Sequence, residues 1–220
     1  MPARNDLGDA VQDYLKEIHK LQEKDGRATT SALAEAIEVS PPSASGMIKK
    51  LAALGLVEHT PYRGVTLTNA GEMVALEMIR HHRLIEQYLA ETLGLPIHQL
   101  HDEADRLEHA LSEDLEARID AVLGHPTHDP HGDPIPDPEL TLLAEPIRPL
   151  ASLGEGDEAT VRRVPDGDAD LLRYLSEIGL VPGCQFKLRS IEPFNGPMTL
   201  ALDGNDRVIS QELATRIGVA

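Results

Sequence analysis

Between Asp9 and Lys24 the apolar residues fall at Val11, Tyr14, Leu15, Ile18 and Leu21, the spacing of one helix face. Asp25-Gly26 predicts its end, and Asp13 sits off the stripe, facing water or reaching toward another module. Thr30-Ser31 opens a short helix containing Leu33, Ala34, Ala36 and Ile37. Ser40-Pro41-Pro42 places a capping hydroxyl before proline at the first helical position, and starts a helix to about Leu54 with Ala44, Met47, Ile48 and Leu51 for packing. Gly55 ends it. Leu56–His59 and Val65–Thr68 then predict two strands around the turn Pro61–Gly64. Two short helices joined by a tight turn, followed by this β-wing, predict a winged helix-turn-helix.

Thr68–Glu72 caps a long helix to about Leu93, with Met78, Ile79, Ile85 and Leu89 along one side. A further helix is expected from Asp102 to Leu123, striped by Leu107, Leu111, Leu115, Ile119 and Val122. The two cannot bury every apolar position alone, which predicts packing on the wing module and on a second copy. Seven prolines between residues 124 and 157 predict a linker or an ordered extended loop. Beyond Glu158 the texture is of strands at 159–164, 185–191, 198–202 and 206–209, with helices at 169–178 and 211–216, a small, partly open β-barrel. The fold class is therefore mainly α with small β parts. The expected modules are 1–69 (winged helix), 70–140 (helical), 141–157 (linker) and 158–220 (β-barrel).

Composition narrows this. Aromatics are 3% with no Trp, so the core must be aliphatic. No apolar run approaches the roughly 20 residues of a membrane span, and the charged opening residues do not read as a signal peptide. Cys184, the one cysteine, excludes an intramolecular disulfide and fits a reducing cytoplasm. The net charge of −17 argues against nucleic acid at first sight, but residues 1–69 are nearly balanced and the surplus acid lies beyond them. A DNA-binding face on the first module is compatible with that distribution, and the remainder attracts cations.

The candidate chemistry centres on His101–His109, His-Asp-Glu-Ala-Asp-Arg-Leu-Glu-His. On a helix, Asp105, Glu108 and His109 share one face, with His101 one turn earlier. A lone acidic stripe is usually a solvated face, but His82 and Glu86, also four apart on a second helix, could close a divalent-metal site with it. His125, His128 and His131 recur at three-residue intervals, yet the intervening prolines keep them off a common helix face. An enzyme is not expected. Asp105–His109 superficially resembles an inverted zincin motif with Asp replacing its first His, and no nucleophile elbow or phosphate loop accompanies it. On the second helix of the helix-turn-helix, Pro42, Ser43, Ser45 and Gly46 are small enough to approach a groove. Lys49, Lys50 and the wing-tip Arg63 are placed for phosphates.

Arg80-His81-His82-Arg83-Leu84-Ile85-Glu86, the His101–His109 stretch and the loop Pro130–Pro136 together resemble the diphtheria-toxin-repressor family of metal-dependent transcriptional regulators. Leu175–Gly183 resembles the SH3-like domain of ferrous-transport accessory proteins. The resemblance implies a helical dimerisation domain and a C-terminal SH3-like barrel, in a homodimer that binds a palindromic DNA operator. It implies a primary metal site of Asp13, Asp105, Glu108 and His109, and an ancillary one of His82, Glu86 and His101. Asp166 of the SH3-like domain would complete the ancillary site, Arg163 standing where iron-type members supply Glu. It also implies a structural role for His131, and it places Lys16 where some relatives have the carboxylate of a coupled metal pair. Iron-type members carry Met and Cys at the positions of Asp13 and Asp105. Two carboxylates there favour hard Mn²⁺, with Fe²⁺ the alternative and other divalent metals possible in vitro. The expected function is a Mn²⁺-activated repressor of metal-uptake genes. The alternatives are an iron-responsive member, or a winged-helix regulator with a purely structural metal.

Overall fold

The computed structural model describes residues 7–60, 64–143 and 146–220 and resolves into two compact units. The first comprises the chain up to His81 together with 108–111 and 136–141; the second comprises 82–107, 112–135 and 142–220.

In the first unit, α1 (Asp9–Asp25), α2 (Thr30–Ala36) and α3 (Pro41–Ala53) precede the antiparallel pair β1 (Val57–Thr60) and β2 (Gly64–Leu67). The Thr29 hydroxyl accepts from Ala32 N–H to start α2, and Ser40 accepts from Ser43 N–H to start α3. The wing register pairs Val57 with Leu67 and Thr60 with Gly64, and Ala28 bridges Val65. Val11, Tyr14, Leu15 and Ile18 of α1 are buried with Leu33, Ile48, Leu51, Val57 and Val65 in one aliphatic core. Helix α4 (Asn69–Glu91) starts hard against the wing: a Cβ on Gly71 would lie 2.0 Å from the Leu56 carbonyl oxygen. The winged helix-turn-helix is as expected, but the wing-tip residue Arg63 falls outside the described residues.

The expected continuous helix from Asp102 to Leu123 is not formed. The chain makes α5 (Leu100–Leu107), a 3-10 turn Glu108–Ala110, and then α6 (Glu113–Val122). The break has a local cause. The Ser112 hydroxyl accepts from Leu115 N–H, and Glu113, Asp114 and Glu116 fill the first turn of α6, where the helix dipole favours negative charge. Ser-Glu-Asp is a start signal inside an otherwise helical period. Of the apolar stripe, Leu111 and Ile119 are buried, whereas Leu107, Leu115 and Val122 are exposed.

The second unit carries a six-stranded sheet ordered β3-β8-β4-β5-β6-β7, from β3 (Arg148–Pro149), β4 (Glu158–Arg163), β5 (Gln185–Ile191), β6 (Met198–Leu202), β7 (Asn205–Ile209) and β8 (Gly218–Val219). The alternating residues Met198, Leu200 and Leu202 point into the core with Leu172 and Leu175 of α7 (Ala169–Ile178). α8 (Gln211–Arg216) closes the sheet's end through buried Ala214. Strand β3 extends this module upstream of Glu158. Within the Pro-rich stretch, residues 124–138 form an ordered loop with buried Asp129, His131 and Ile135.

Candidate metal centre

Helix α1 has a second buried face that periodicity did not reveal: Gln12, Lys16 and His19, at i, i+4 and i+7, are all buried. Asp13 lies beside this polar stripe. Its Oδ1 is 2.9 Å from His109 Nε2, and Asp13, Glu108 and His109 each offer a ligand atom within 4.8 Å of the others. The other imidazole nitrogen, Nδ1, is 2.8 Å from Gln12 Oε1. Since an amide oxygen only accepts, Nδ1 carries the proton there, which leaves Nε2 as the nitrogen available to a cation. Gln12 is itself held by donating from Nε2 to the Leu7 carbonyl at 3.2 Å. Glu108 is buried at the 3-10 turn and takes the Lys16 ammonium at 2.6 Å. The His81 ring braces that turn, with Nδ1 3.2 Å from the Glu108 carbonyl oxygen.

A second cluster lies on α4 and α5. His82 Nε2 is 3.1 Å from both Glu86 Oε1 and His101 Nδ1. Asp105 faces these imidazoles, 3.2 Å from His82 Nδ1 and 3.6 Å from His101 Nε2. His131 adds a third imidazole, its Nδ1 3.5 Å from Glu86 Oε2. Burial alone would raise the Glu86 carboxyl, but the adjoining imidazoles of His101, His131 and His82 hold it well below the usual carboxylate range. Glu86, Asp129 and His131 are all buried and place ligand atoms within 4.8 Å of one another. Neither ring nitrogen of His131 makes a hydrogen bond of good geometry among the described residues. A fully buried imidazole left so, between two carboxyls, fits a cation-binding role.

The loop is built to hold that imidazole. Asp129 Oδ1 accepts from the backbone N–H of His131 and of Asp133, both at 2.9 Å. Burial, with the neighbouring charges of Asp133 and Glu86, pushes the Asp129 carboxyl up to about 7. The His131 carbonyl accepts from Val164 N–H at 2.9 Å. Gly132, at φ +88°, lies so close to β4 that a Cβ would sit 1.7 Å from the Arg162 carbonyl oxygen. Arg163, which replaces an expected ligand, instead donates to Asp133 at 3.0 Å. Asp166 lies close enough to His131 for its charge to favour the imidazolium.

The structure brings together Asp13, Glu108 and His109, and it brings together His82, Glu86, His101 and Asp105. Asp129 and His131 are candidate ligands that sequence reasoning missed. Their i, i+2 spacing falls in a Pro-rich stretch with no helix or strand to read it on, and the Asx-type turn at Asp129, with Gly132 two residues after Pro130, is what folds the loop. Both donor sets are carboxylates and imidazoles, whereas Cys184 packs against the C-terminal core. On α3, Pro42, Ser43, Gly46, Lys49 and Lys50 are exposed and Ser45 is half-buried, while Ala44, Ile48 and Leu51 face inward.

The profile of the iron dependent repressor N-terminal DNA binding domain matches residues 6–65, and that of the family's metal binding and dimerisation domain matches 68–137. A FeoA domain follows at 148–220. The iron-dependent repressor IdeR of Mycobacterium tuberculosis is 32% identical over 228 residues, covering 98% of each chain. The chain belongs to the diphtheria-toxin-repressor family. The diphtheria toxin repressor of Corynebacterium efficiens is 38% identical over 90% of this chain and 93% of its own. A solved manganese-dependent transcriptional repressor in complex with manganese superposes with a TM-score of 0.88 at 42% identity, covering 96% of this chain and 99% of that one. As a member of this family the protein is a metal-dependent, DNA-binding transcriptional regulator that dimerises, and not an enzyme. No helix among the described residues is long and apolar enough to cross a membrane.

Proposed function

We propose that this family member is a manganese-responsive repressor that binds a palindromic operator as a homodimer in the cytoplasm. The observation that carries the choice of metal is the donor chemistry: oxygen and imidazole nitrogen only, where softer metals gain most from sulfur. Asp13, Glu108 and His109 would hold one ion. Glu86, Asp129 and His131 would hold another, with His82, His101, Asp105 and Asp166 around it. A bound divalent ion supplies positive charge that offsets the converging carboxylates.

Asp13 is part of the helix that underpins the DNA-binding core, and Glu108 and His109 come from the turn after α5. How their charges are balanced therefore governs where α1 rests and with it the carriage of α3. In a two-fold dimer the two α3 helices must match half-sites about 34 Å apart, so a small displacement of α1 changes the fit. Pro42, Ser43, Ser45 and Gly46 approach bases, and Lys49 and Lys50 take phosphates, with Arg63 assigned the same role from sequence. Among the described residues nothing beyond the glycine's own stretch of helix lies within 4 Å of where a Gly46 Cβ would be, so packing there does not require glycine. Close approach to a duplex is a sufficient reason.

Fluorescence anisotropy on a palindromic duplex at fixed salt tests this. Mn²⁺ should tighten binding by roughly 5–150-fold per protomer relative to chelator, and by more than Fe²⁺ does anaerobically. Equal affinity in excess chelator would overturn the reading, and a larger response to Fe²⁺ would favour the iron-responsive alternative.

The raised Asp129 carboxyl adds a pH signature. Its proton must leave before the oxygen can serve as a ligand, so Mn²⁺ affinity at this site should fall about tenfold per pH unit below about 7. Metal-free stability runs the other way. The folded state retains a proton that the unfolded chain releases, so the Asp129 contribution declines as pH rises from the usual carboxylate range to about 7. Calorimetry at pH 6, 7 and 8, in two buffers of different ionisation enthalpy, should register proton release on Mn²⁺ binding. A flat profile would exclude Asp129 from the ligand set.

A further inference from the structure

We propose that Lys16 sets the metal threshold of the Asp13–Glu108–His109 site by acting as a built-in cation that competes for Glu108. The inference rests on the ligand set proposed above. Lys16 is buried on α1 with its Nζ 2.6 Å from Glu108 Oε1. That same oxygen is 3.8 Å from His109 Nε2, so the ammonium and the donor cluster share one carboxylate oxygen. An ammonium only donates hydrogen bonds and cannot itself be a ligand while protonated. It meets one of the oxygens that a divalent ion would need, and it repels that ion besides.

Glu108 is only 1% exposed, and the lysine ammonium places a buried counter-charge against its carboxyl. A divalent ion must therefore displace the ammonium from Glu108 or bind against its charge, and either raises the concentration required. Within about 5 Å, one unit of like charge shifts the binding of a cation by a decade or more. Lysine suits this task better than arginine, because a point charge on a flexible stem can swing away, whereas a guanidinium fork locks onto a carboxylate. A lysine that merely stabilised the fold would leave metal affinity unchanged on neutralisation.

Calorimetry and Mn²⁺ electron paramagnetic resonance on the full-length protein, at fixed pH and salt, decide between these. Lys16→Met and Lys16→Gln keep a side chain of similar reach without charge. Each should tighten one class of Mn²⁺ site by about tenfold or more and leave the other class unchanged, while Lys16→Arg should not tighten it. Unchanged or weaker Mn²⁺ binding in the neutral variants, with native circular dichroism, would overturn the proposal. If both neutral variants are unfolded without metal, the pair is structural and the proposal is overturned as well. Asp13→Asn separates the two ideas: if it removes no site, the ligand assignment itself fails, and if it removes one while Lys16→Met tightens none, only the role of Lys16 fails.

Discussion

Glu86→Gln should cost the protein one Mn²⁺ per protomer and weaken metal-dependent operator binding by about two orders of magnitude. The carboxylate lies among three imidazoles, His82, His101 and His131, and their proximity lowers its pKa despite burial. The amide removes that charge and turns one oxygen into a donor facing nitrogens that also donate when protonated. Metal-free stability should drop too, by on the order of 3 kcal/mol, because the imidazoles lose a buried counter-charge. That loss has a pH window. The wild-type carboxyl is depressed, so its contribution is present above the ordinary carboxylate range and disappears as pH falls through the lower, folded value. Wild type and variant should therefore converge in stability in strong acid and separate toward neutrality. Urea titrations from pH 3 to 7, with Mn²⁺ counted by calorimetry, measure both. An unchanged metal count would remove Glu86 from the ligand set.

Gly132→Ala should be the most damaging single-methyl change in the chain. Its φ of +88° disfavours any side chain, and the added Cβ would stand 1.7 Å from the Arg162 carbonyl oxygen. Backbone on both sides must move, and that separation breaks the bond from Val164 N–H to the His131 carbonyl. The expected cost is about 3–5 kcal/mol, with loss of the Mn²⁺ site that uses His131 and retention of the Asp13–Glu108–His109 site. Thermal melts with and without Mn²⁺ check the first. Metal counting on the folded fraction checks the second, and loss of both sites together would contradict their separate assignment.

Most of the fold was legible because its signals are local. Ser40-Pro41 marks a helix start by capping, and Met198, Leu200 and Leu202 alternate as a half-buried strand should. The site was legible only where helical periodicity holds. His82 and Glu86 share a face of an unbroken helix and do meet. Asp105 and Glu108 would share one too, but the chain leaves the α-helix at Glu108 for a 3-10 turn before the Ser112 cap starts the next helix. Asp129 and His131 were not legible as ligands for another reason: their placement depends on a turn stabilised by its own carboxylate and on a segment about thirty residues away. Lys16 illustrates the limit from the other side. Its position marked a departure from the carboxylate of some relatives, but not that the ammonium would be buried against Glu108.

The two buried faces of α1 restrict how this helix can move. Its apolar side is sealed into the core through Leu15 and Ile18. Its polar side is pinned by Gln12 to the Leu7 carbonyl, by Lys16 to Glu108 and by His19 to Glu72, while Gln22 accepts from Leu67 N–H. Turning about its axis by one residue, 100°, would expose leucine and bury charge at once, so that degree of freedom is closed. What remains is tilt and slide as a rigid rod, with the pins acting as pivots. A lever of 17 residues, about 25 Å long, converts a fraction of an ångström at Asp13 into a larger excursion at its far end, beside the wing.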